Sequence, residues 1–309
     1  MAKQKLVKLK KTDIVIPANT HPKYRAEYRR VYTQVTKGTN RIMLMAADQK
    51  IEHLNDDFYG VNIHPHDADP EHFFRIAQKG EIGCLAAQHG LIAQYGPSYP
   101  KIPYLVKMNS KTNLVDTDQA EPNSKALVDF ADVLDLRENG KLNIVGIGYT
   151  VYYGSEHEAD MLQEAGSLIA LAHKYGMIAV VWGYPRGKAV KNEKDAHLIA
   201  GAAGATLCLG ADFVKVNIPK NGALELKEAV SAAGHTGVII SGGSSQGVKD
   251  FLRFTYDTIH LGGCRGSATG RNVHQKSFAE GVAMTKAMSA LVYKNSTVQE
   301  AYQIYQENL

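Results

Sequence analysis

The chain has 309 residues, 44% of them hydrophobic and 21% charged, with 28 glycines, which is the profile of a folded α/β protein with a sizeable core and excludes a disordered chain. A formal charge of +4 and a single short lysine-rich run, Lys3 to Lys11, argue against a nucleic-acid partner and are compatible with a small anionic substrate. Cys84, Cys208 and Cys264 lie far apart without Cys-x-x-Cys spacing, so they read as buried thiols in a reducing cytosol; no apolar run is long enough to span a membrane, and a cytoplasmic protein is expected.

In chain order, Pro22 to Lys37 carries Tyr24, Tyr28 and Val31 or Tyr32 at helical spacing and stops at Gly38. This predicts an added helix within an N-terminal extension, residues 1–40. Ile42 to Ala47 is a continuously apolar strand that delivers Asp48 at its C-terminal end. The stretch His64 to His72 holds three histidines and three carboxylates. Its Asp69-Pro70-Glu71 reads as a helix start, with Asp as N-cap and Pro at the first helical position, so a structural role is expected there and a metal site is not.

Strands follow at Ile82 to Gln88, Pro103 to Met108 and Asn143 to Thr150, then a helix from Glu158 to Tyr175 closed by Gly176. Strand Met177 to Trp182 leads into Gly183-Tyr-Pro-Arg-Gly187, a helix covers Asp195 to Leu209, and a strand around Lys215 comes next. Val238 to Ser241 runs into Gly242-Gly243, and Cys264 to Thr269 into Gly270-Arg-Asn272 before a long helix. Eight strands, each with a crossover and with no break in composition, predict a single (β/α)8 TIM barrel over residues 41–295, followed by a tail or helix at 296–309. A doubly wound sheet is the alternative, and no short-period repeat is present.

The strand Phe213-Val-Lys-Val-Asn217 places a lysine between two valines. A period of two sends Val214 and Val216 to one face and Lys215 with Asn217 to the other, into an enclosed space if the valines meet helices. Desolvation there lowers an amine's pKa and frees it to attack a carbonyl. In a barrel the site lies at the C-terminal strand ends. Asp48, Lys107 with Asn109, Tyr149, Tyr184 with Arg186, and Lys215 with Asn217 all sit at such ends, and this convergence outweighs the ordinary structural explanation each has singly. Ser241-Gly242-Gly243 and Gly270-Arg271 follow the last two strands, where barrels often bind phosphate on backbone N–H groups.

These pieces, together with Asp48-Gln-Lys-Ile-Glu-His53, Leu105-Val-Lys-Met-Asn109, Gly148-Tyr-Thr-Val-Tyr-Tyr-Gly-Ser155 and Val181-Trp-Gly-Tyr-Pro-Arg-Gly187, resemble the DhnA-type (archaeal-type) class I fructose-bisphosphate aldolases from Ile42 to the helix beyond Asn272. The resemblance implies metal-independent aldol cleavage without a cofactor, and a homo-oligomer as large as an octamer or decamer. It implies Lys215 as Schiff-base lysine, Tyr184 as proton-transfer residue and Asp48 as the carboxylate that orients the intermediate. Trp182, Arg186, Lys107, Ser241, Gly242, Gly243, Gly270 and Arg271 are the expected substrate ligands. Lys107, in a polar stretch with Asn109 and Lys111, is expected to stay protonated and hydrated. Two departures from the family pattern, Arg265 in the eighth strand and Ile218-Pro-Lys-Asn-Gly222 after the lysine, are expected to alter the substrate end of the pocket. A related Schiff-base carbon–carbon transfer enzyme, similar to aminodideoxyheptulosonate synthases or autoinducer thiolases, and a non-catalytic sugar-phosphate-binding barrel remain alternatives, because fold alone does not fix function.

Overall fold

The computed structural model describes residues 4–116 and 119–309; Lys3, with which the basic run begins, falls outside them. Eight parallel strands close into a barrel: β1 (Ile42–Ala46), β2 (Cys84–Gln88), β3 (Tyr104–Lys107), β4 (Ile144–Tyr153), β5 (Ile178–Pro185), β6 (Phe213–Val216), β7 (Gly237–Ser241) and β8 (Gly266–Thr269). Each pairs with its neighbours in sequence, and the ring shuts where Ile42 to Met45 of β1 run beside Gly266 to Thr269 of β8. The doubly wound alternative is thereby excluded. A two-stranded antiparallel ribbon, Asn109–Ser110 with Lys125–Ala126, rises from the end of β3.

The expected N-terminal helix is present as α1 (Arg25–Thr36), and it ends where Lys37 and Gly38 take left-handed conformations. Its buried Tyr28, Val31 and Val35 join Ile42, Leu44, Val180 and Phe213 in one apolar cluster. The helix thus plugs the N-terminal end of the barrel. Beneath it Asp212 is held by three donors: the Tyr28 hydroxyl, His173 Nε2 at 3.0 Å and the Ala179 N–H at 2.7 Å. The apolar outer strand faces pack against surrounding helices, among them α2 (Glu71–Lys79), α3 (Glu158–Lys174), α4 (Ala196–Cys208), α5 (Leu226–Ala232), α6 (Val248–His260) and α7 (Phe278–Lys294). A last helix, α8 (Val298–Glu307), lies against α6 and α7. Among the described residues no helix is long and apolar enough to cross a membrane.

Two sequence expectations need correction. Cys84 and Cys264 are buried, but Cys208 is exposed, because it ends α4 on the solvent side. Tyr149 lies well inside the ten-residue β4, and its hydroxyl donates outward to Glu164 Oε2 at 2.5 Å, so it does not reach the barrel mouth. The histidine-rich stretch has structural duties. Asp69 accepts from the Glu71 N–H at the start of α2, His72 Nε2 lies 3.1 Å from the His274 carbonyl, and buried Asp67 pairs with His274.

Candidate active site

Strand alternation aims the inner residues of the barrel. Val214 and Val216 pack outward among the helices, while Phe213 joins the interior cluster, so Lys215 points inward as its period requires. Trp182 stands opposite Lys215 in the register of β5 and β6. The indole fits because Gly148 has no side chain: a Cβ there would come within 2.6 Å of the ring. Lys215 Nζ lies 5.1 Å from the centre of the Trp182 ring and Lys107 Nζ lies 5.3 Å from it, so one indole neighbours both amines.

A cavity of about 170 Å³ opens here, lined by Asp48, Trp182, Tyr184, Arg186, Lys215, Ser241, Gly242, Gly243, Gly270 and Arg271. Larger cavities, about 380 Å³ at the base and about 600 Å³ beside α2, gather no comparable set of groups from the strand ends. Ten of the eleven expected site residues therefore line one space, and the eleventh, Lys107, is buried beside it against Trp182.

The two lysines differ in their bonding. Lys107 is not hydrated: it is 2% exposed, and its Nζ donates to the Asn109 carbonyl at 2.7 Å and to Asn109 Oδ1 at 3.0 Å. Burial lowers its pKa to about 8, against the pull of Asp48 and Glu52, and the like charge of Lys215 lowers it further. Lys215 has no hydrogen-bond partner among the described residues. Burial lowers its pKa too, Asp48 and Glu52 oppose the shift, and Arg271 adds to it. Asp48 Oδ1 and Trp182 Nε1 are likewise buried without a protein partner. Burial first, then Asp48 and Glu52, hold the Tyr184 phenol well above its ordinary range, so it is neutral at pH 7.

The phosphate-type loops are tied together by Asn272, whose Nδ2 donates to the carbonyls of Gly242 and Ser244, both at 3.1 Å. Gly270 allows a second close approach, since a Cβ there would fall 1.9 Å from Gln49 Nε2. Arg186 is already engaged: Nε and Nη2 donate to Glu193 at 2.9 and 3.1 Å, and the guanidinium lies over Tyr152 and Tyr184.

Arg265 is not at the substrate end. It precedes β8 at the base of the barrel and donates to the His235 carbonyl at 3.0 Å. Of the segment after the lysine strand, Asn217 lines the mouth, while Lys220 and Asn221 line a separate surface cleft. Of the further residues lining the cavity, sequence reasoning gave Gln49, Glu52 and His53 no role, whereas it had already turned Asn217 inward with Lys215. The signal for the first three lay in the stretch Asp48 to His53, where a single helical turn, Gln49–Glu52, swings its side chains back over the mouth.

Residues 42–276 match the DeoC/LacD family aldolases. The fructose-bisphosphate aldolase/6-deoxy-5-ketofructose 1-phosphate synthase of Methanocaldococcus jannaschii is 53% identical over 300 residues, covering 96% of each chain. The solved structure of a fructose-bisphosphate aldolase from Slackia heliotrinireducens superposes with a TM-score of 0.94 at 51% identity, over 98% of this chain and 96% of that one. An archaeal fructose-1,6-bisphosphate aldolase whose catalytic Lys is covalently bound to the carbinolamine intermediate of its substrate superposes with a TM-score of 0.74 at 30% identity, over 85% and 98%. With three quarters of its length matched, the chain belongs to the DeoC/LacD family of aldolases, with archaeal-type class I fructose-bisphosphate aldolases among its relatives.

Proposed function

We propose that the chain is a class I fructose-bisphosphate aldolase, which reversibly cleaves fructose 1,6-bisphosphate to dihydroxyacetone phosphate and glyceraldehyde 3-phosphate through a Schiff base on Lys215. The observation that carries this reading is a buried lysine with a lowered pKa and no hydrogen-bond partner among the described residues, set among groups that suit a phosphorylated ketose. The free amine adds to the C2 ketone, and loss of water leaves a protonated iminium. This cation accepts the electron pair of the C3–C4 bond as that bond breaks, leaving an enamine of dihydroxyacetone phosphate. In the condensation direction the neutral Tyr184 phenol gives its proton to the aldehyde oxygen as the enamine attacks; in cleavage the phenol first gives that proton to the hydroxide leaving the carbinolamine, and the resulting phenolate takes the C4 hydroxyl proton as the C3–C4 bond breaks. Asp48 offers a carboxylate oxygen to the iminium and its hydroxylated neighbours. Lys107, fixed by Asn109, supplies positive charge rather than a nucleophile. Ser241, Gly242, Gly243, Gly270 and Arg271 hold the phosphate on the ketone side.

Borohydride reduction with dihydroxyacetone phosphate, followed by peptide mapping, tests the assignment. Label on Lys215 is expected; label on Lys107, or none, would overturn it, and absence of turnover would favour a binding barrel. The same reading puts the enzyme in the cytoplasm, in glycolysis and gluconeogenesis, as a homo-oligomer, expectations that rest on resemblance to the family.

A second reading of the aldehyde side is favoured by one observation. Arg186, the expected substrate ligand whose charge would suit a second phosphate, is neutralised by Glu193. An acceptor aldehyde without phosphate then loses little. Addition of the same enamine to methylglyoxal gives the 6-deoxy-5-ketose phosphate named for the Methanocaldococcus relative. Comparing kcat/KM for methylglyoxal and glyceraldehyde 3-phosphate with dihydroxyacetone phosphate separates the two, and a preference of 100-fold or more for the phosphorylated aldehyde, on the order of 2.7 kcal/mol, would remove the second.

A further inference from the structure

At the opposite end of the barrel from the lysine mouth, the N-terminal segment crosses the strand starts as a strap. The Gln4 N–H donates to His260 Nδ1 at 3.0 Å, and the Leu9 N–H to the Gly38 carbonyl at 2.9 Å. Between this strap, α1 and the turn that leads into β6 lies the cavity of about 380 Å³, a size ordinary for a small-molecule site. Its walls are largely apolar, with Leu9, Ile14 and Pro17 from the strap and Leu207 from α4. Tyr28 and Tyr32 add flat faces: their rings stack with centres 6.2 Å apart, and Tyr32 stacks on Phe213 at 6.0 Å. Val7 and Val15 also line the cavity and are 44% and 73% exposed, so its rim is apolar too.

The polar groups here are few and partly unused. Arg265 gives Nη1–H to the His235 carbonyl at 3.0 Å, one of the five N–H groups of its fork. The Ile42 N–H bonds the Arg265 carbonyl, which sets Asn40 beside that arginine at the strand starts, and Asn40 Oδ1 is buried with no hydrogen-bond partner among the described residues. Burial and then Asp212 push the Tyr32 phenol up to about 12, with Arg265 pulling it down, so near that arginine stands a neutral hydroxyl. Both carboxylates that line the cavity are already engaged, Asp212 by its three donors and Asp13 by the Lys10 N–H at 2.8 Å. Lys5, Lys8, Lys10 and Lys11 of the strap, with Arg265, outnumber them, and the balance favours an anion. A phosphorylated sugar does not fit this chemistry, because its hydroxyls would be stranded against Leu9, Ile14, Pro17 and Leu207.

We infer that the base of the barrel holds a second ligand site, formed by the N-terminal strap, α1 and Arg265, which takes a small aromatic carboxylate with its anionic oxygens on Arg265 and its ring among the strap and the two tyrosines. Asn40 Oδ1 accepts from a donor on such a ligand. No covalent bond changes, and the inference does not rest on the proposed aldolase activity.

The probe is 2-naphthoate, and 2-naphthamide, of the same shape without the charge, is its control. Calorimetric titration of the wild-type protein is expected to show one naphthoate per chain and at least tenfold weaker binding of naphthamide, the loss of one charge-assisted contact. Arg265→Gln is expected to bind the two compounds alike at the naphthamide level, which also shows that the cavity survives the substitution. Should that variant bind neither, Arg265→Lys decides: it keeps the charge, and a retained preference for naphthoate supports the site while a lost one overturns it. Arg271→Ala, at the other end of the barrel, is expected to bind naphthoate as the wild type does. Absence of naphthoate binding, equal affinity for the two compounds in the wild type, a preference that survives in Arg265→Gln, or one that disappears in Arg271→Ala would each overturn the site.

Discussion

The two ends of the barrel treat a buried carboxylate in opposite ways. At the base, Asp212 receives a phenol, an imidazole nitrogen and a backbone N–H, and these contacts seat α1 under the lysine strand. At the mouth, Asp48 Oδ1 and Trp182 Nε1 are buried without such partners among the described residues, and the amine of buried Lys215 makes no hydrogen bond there. A buried polar atom left unpaired costs about 1–3 kcal/mol. Paired groups at the base add to the stability of the fold, whereas the unpaired set at the mouth weakens it and remains available to a substrate. The two lysines repeat the contrast within a few ångströms of one indole: Lys107 has its donors fixed by Asn109, and Lys215 does not.

The sharpest way to break this comparison is to exchange the expected outcomes. Lys215→Met should lower fructose 1,6-bisphosphate cleavage by about 10⁴-fold or more and abolish borohydride trapping, with thermal stability unchanged or raised, since a buried amine without a hydrogen-bond partner is removed. Asp212→Asn should do the reverse, costing about 3 kcal/mol in denaturant unfolding while the folded protein still traps substrate. A folded Asp212→Asn protein unable to form the imine would end the distinction between the two ends.

Tyr184→Phe comes next, with cleavage reduced about 10²- to 10⁴-fold and trapping retained, because proton transfer is lost but the amine is intact. Equal loss of both activities would show that Tyr184 shapes the pocket rather than moving a proton. Arg271→Ala should raise the KM for dihydroxyacetone phosphate about 10- to 100-fold and leave unfolding free energy nearly unchanged. Matching constants for the mutant and wild type would reduce the Gly270-Arg271 loop to a turn.

The smallest effect concerns pH. Lys107 titrates at about 8 in the folded chain, against an ordinary lysine value of 10.5. Between those values the unfolded chain binds more protons than the folded one, so this group makes stability rise with pH from about 8 to 10.5. Lys107→Met should flatten that part of the stability profile, measured by urea unfolding at pH 8 and pH 10, and should still trap dihydroxyacetone phosphate on Lys215 at a reduced rate. A profile as steep as that of the wild type would place the titration elsewhere.

Most of the frame was legible because it rests on short-range patterns. Continuous apolar runs marked strands buried on both faces, and the placement of Asp48, Tyr184, Lys215 and Arg271 at their ends followed from counting residues. The errors fell where a side chain's partner lies outside its own strand: Tyr149 is drawn outward by Glu164 of α3, and Arg265 sits at the base beside His235. His53 was visible only as the end of the stretch Asp48 to His53, since its partners are a carboxylate four residues on and, through that carboxylate, an arginine more than 200 residues away.

The sequence by itself determined the barrel, the strand that bears the lysine and the inward direction of that lysine, because a period of two and an apolar run are properties of neighbouring residues. Only the tertiary structure decided which charges at the mouth are already spent. Whether Lys107 is held by Asn109, Arg186 by Glu193, or His53 and Arg271 by one Asp57 depends on which groups closure of the barrel brings within hydrogen-bond reach, and burial then sets what each of them costs to ionise.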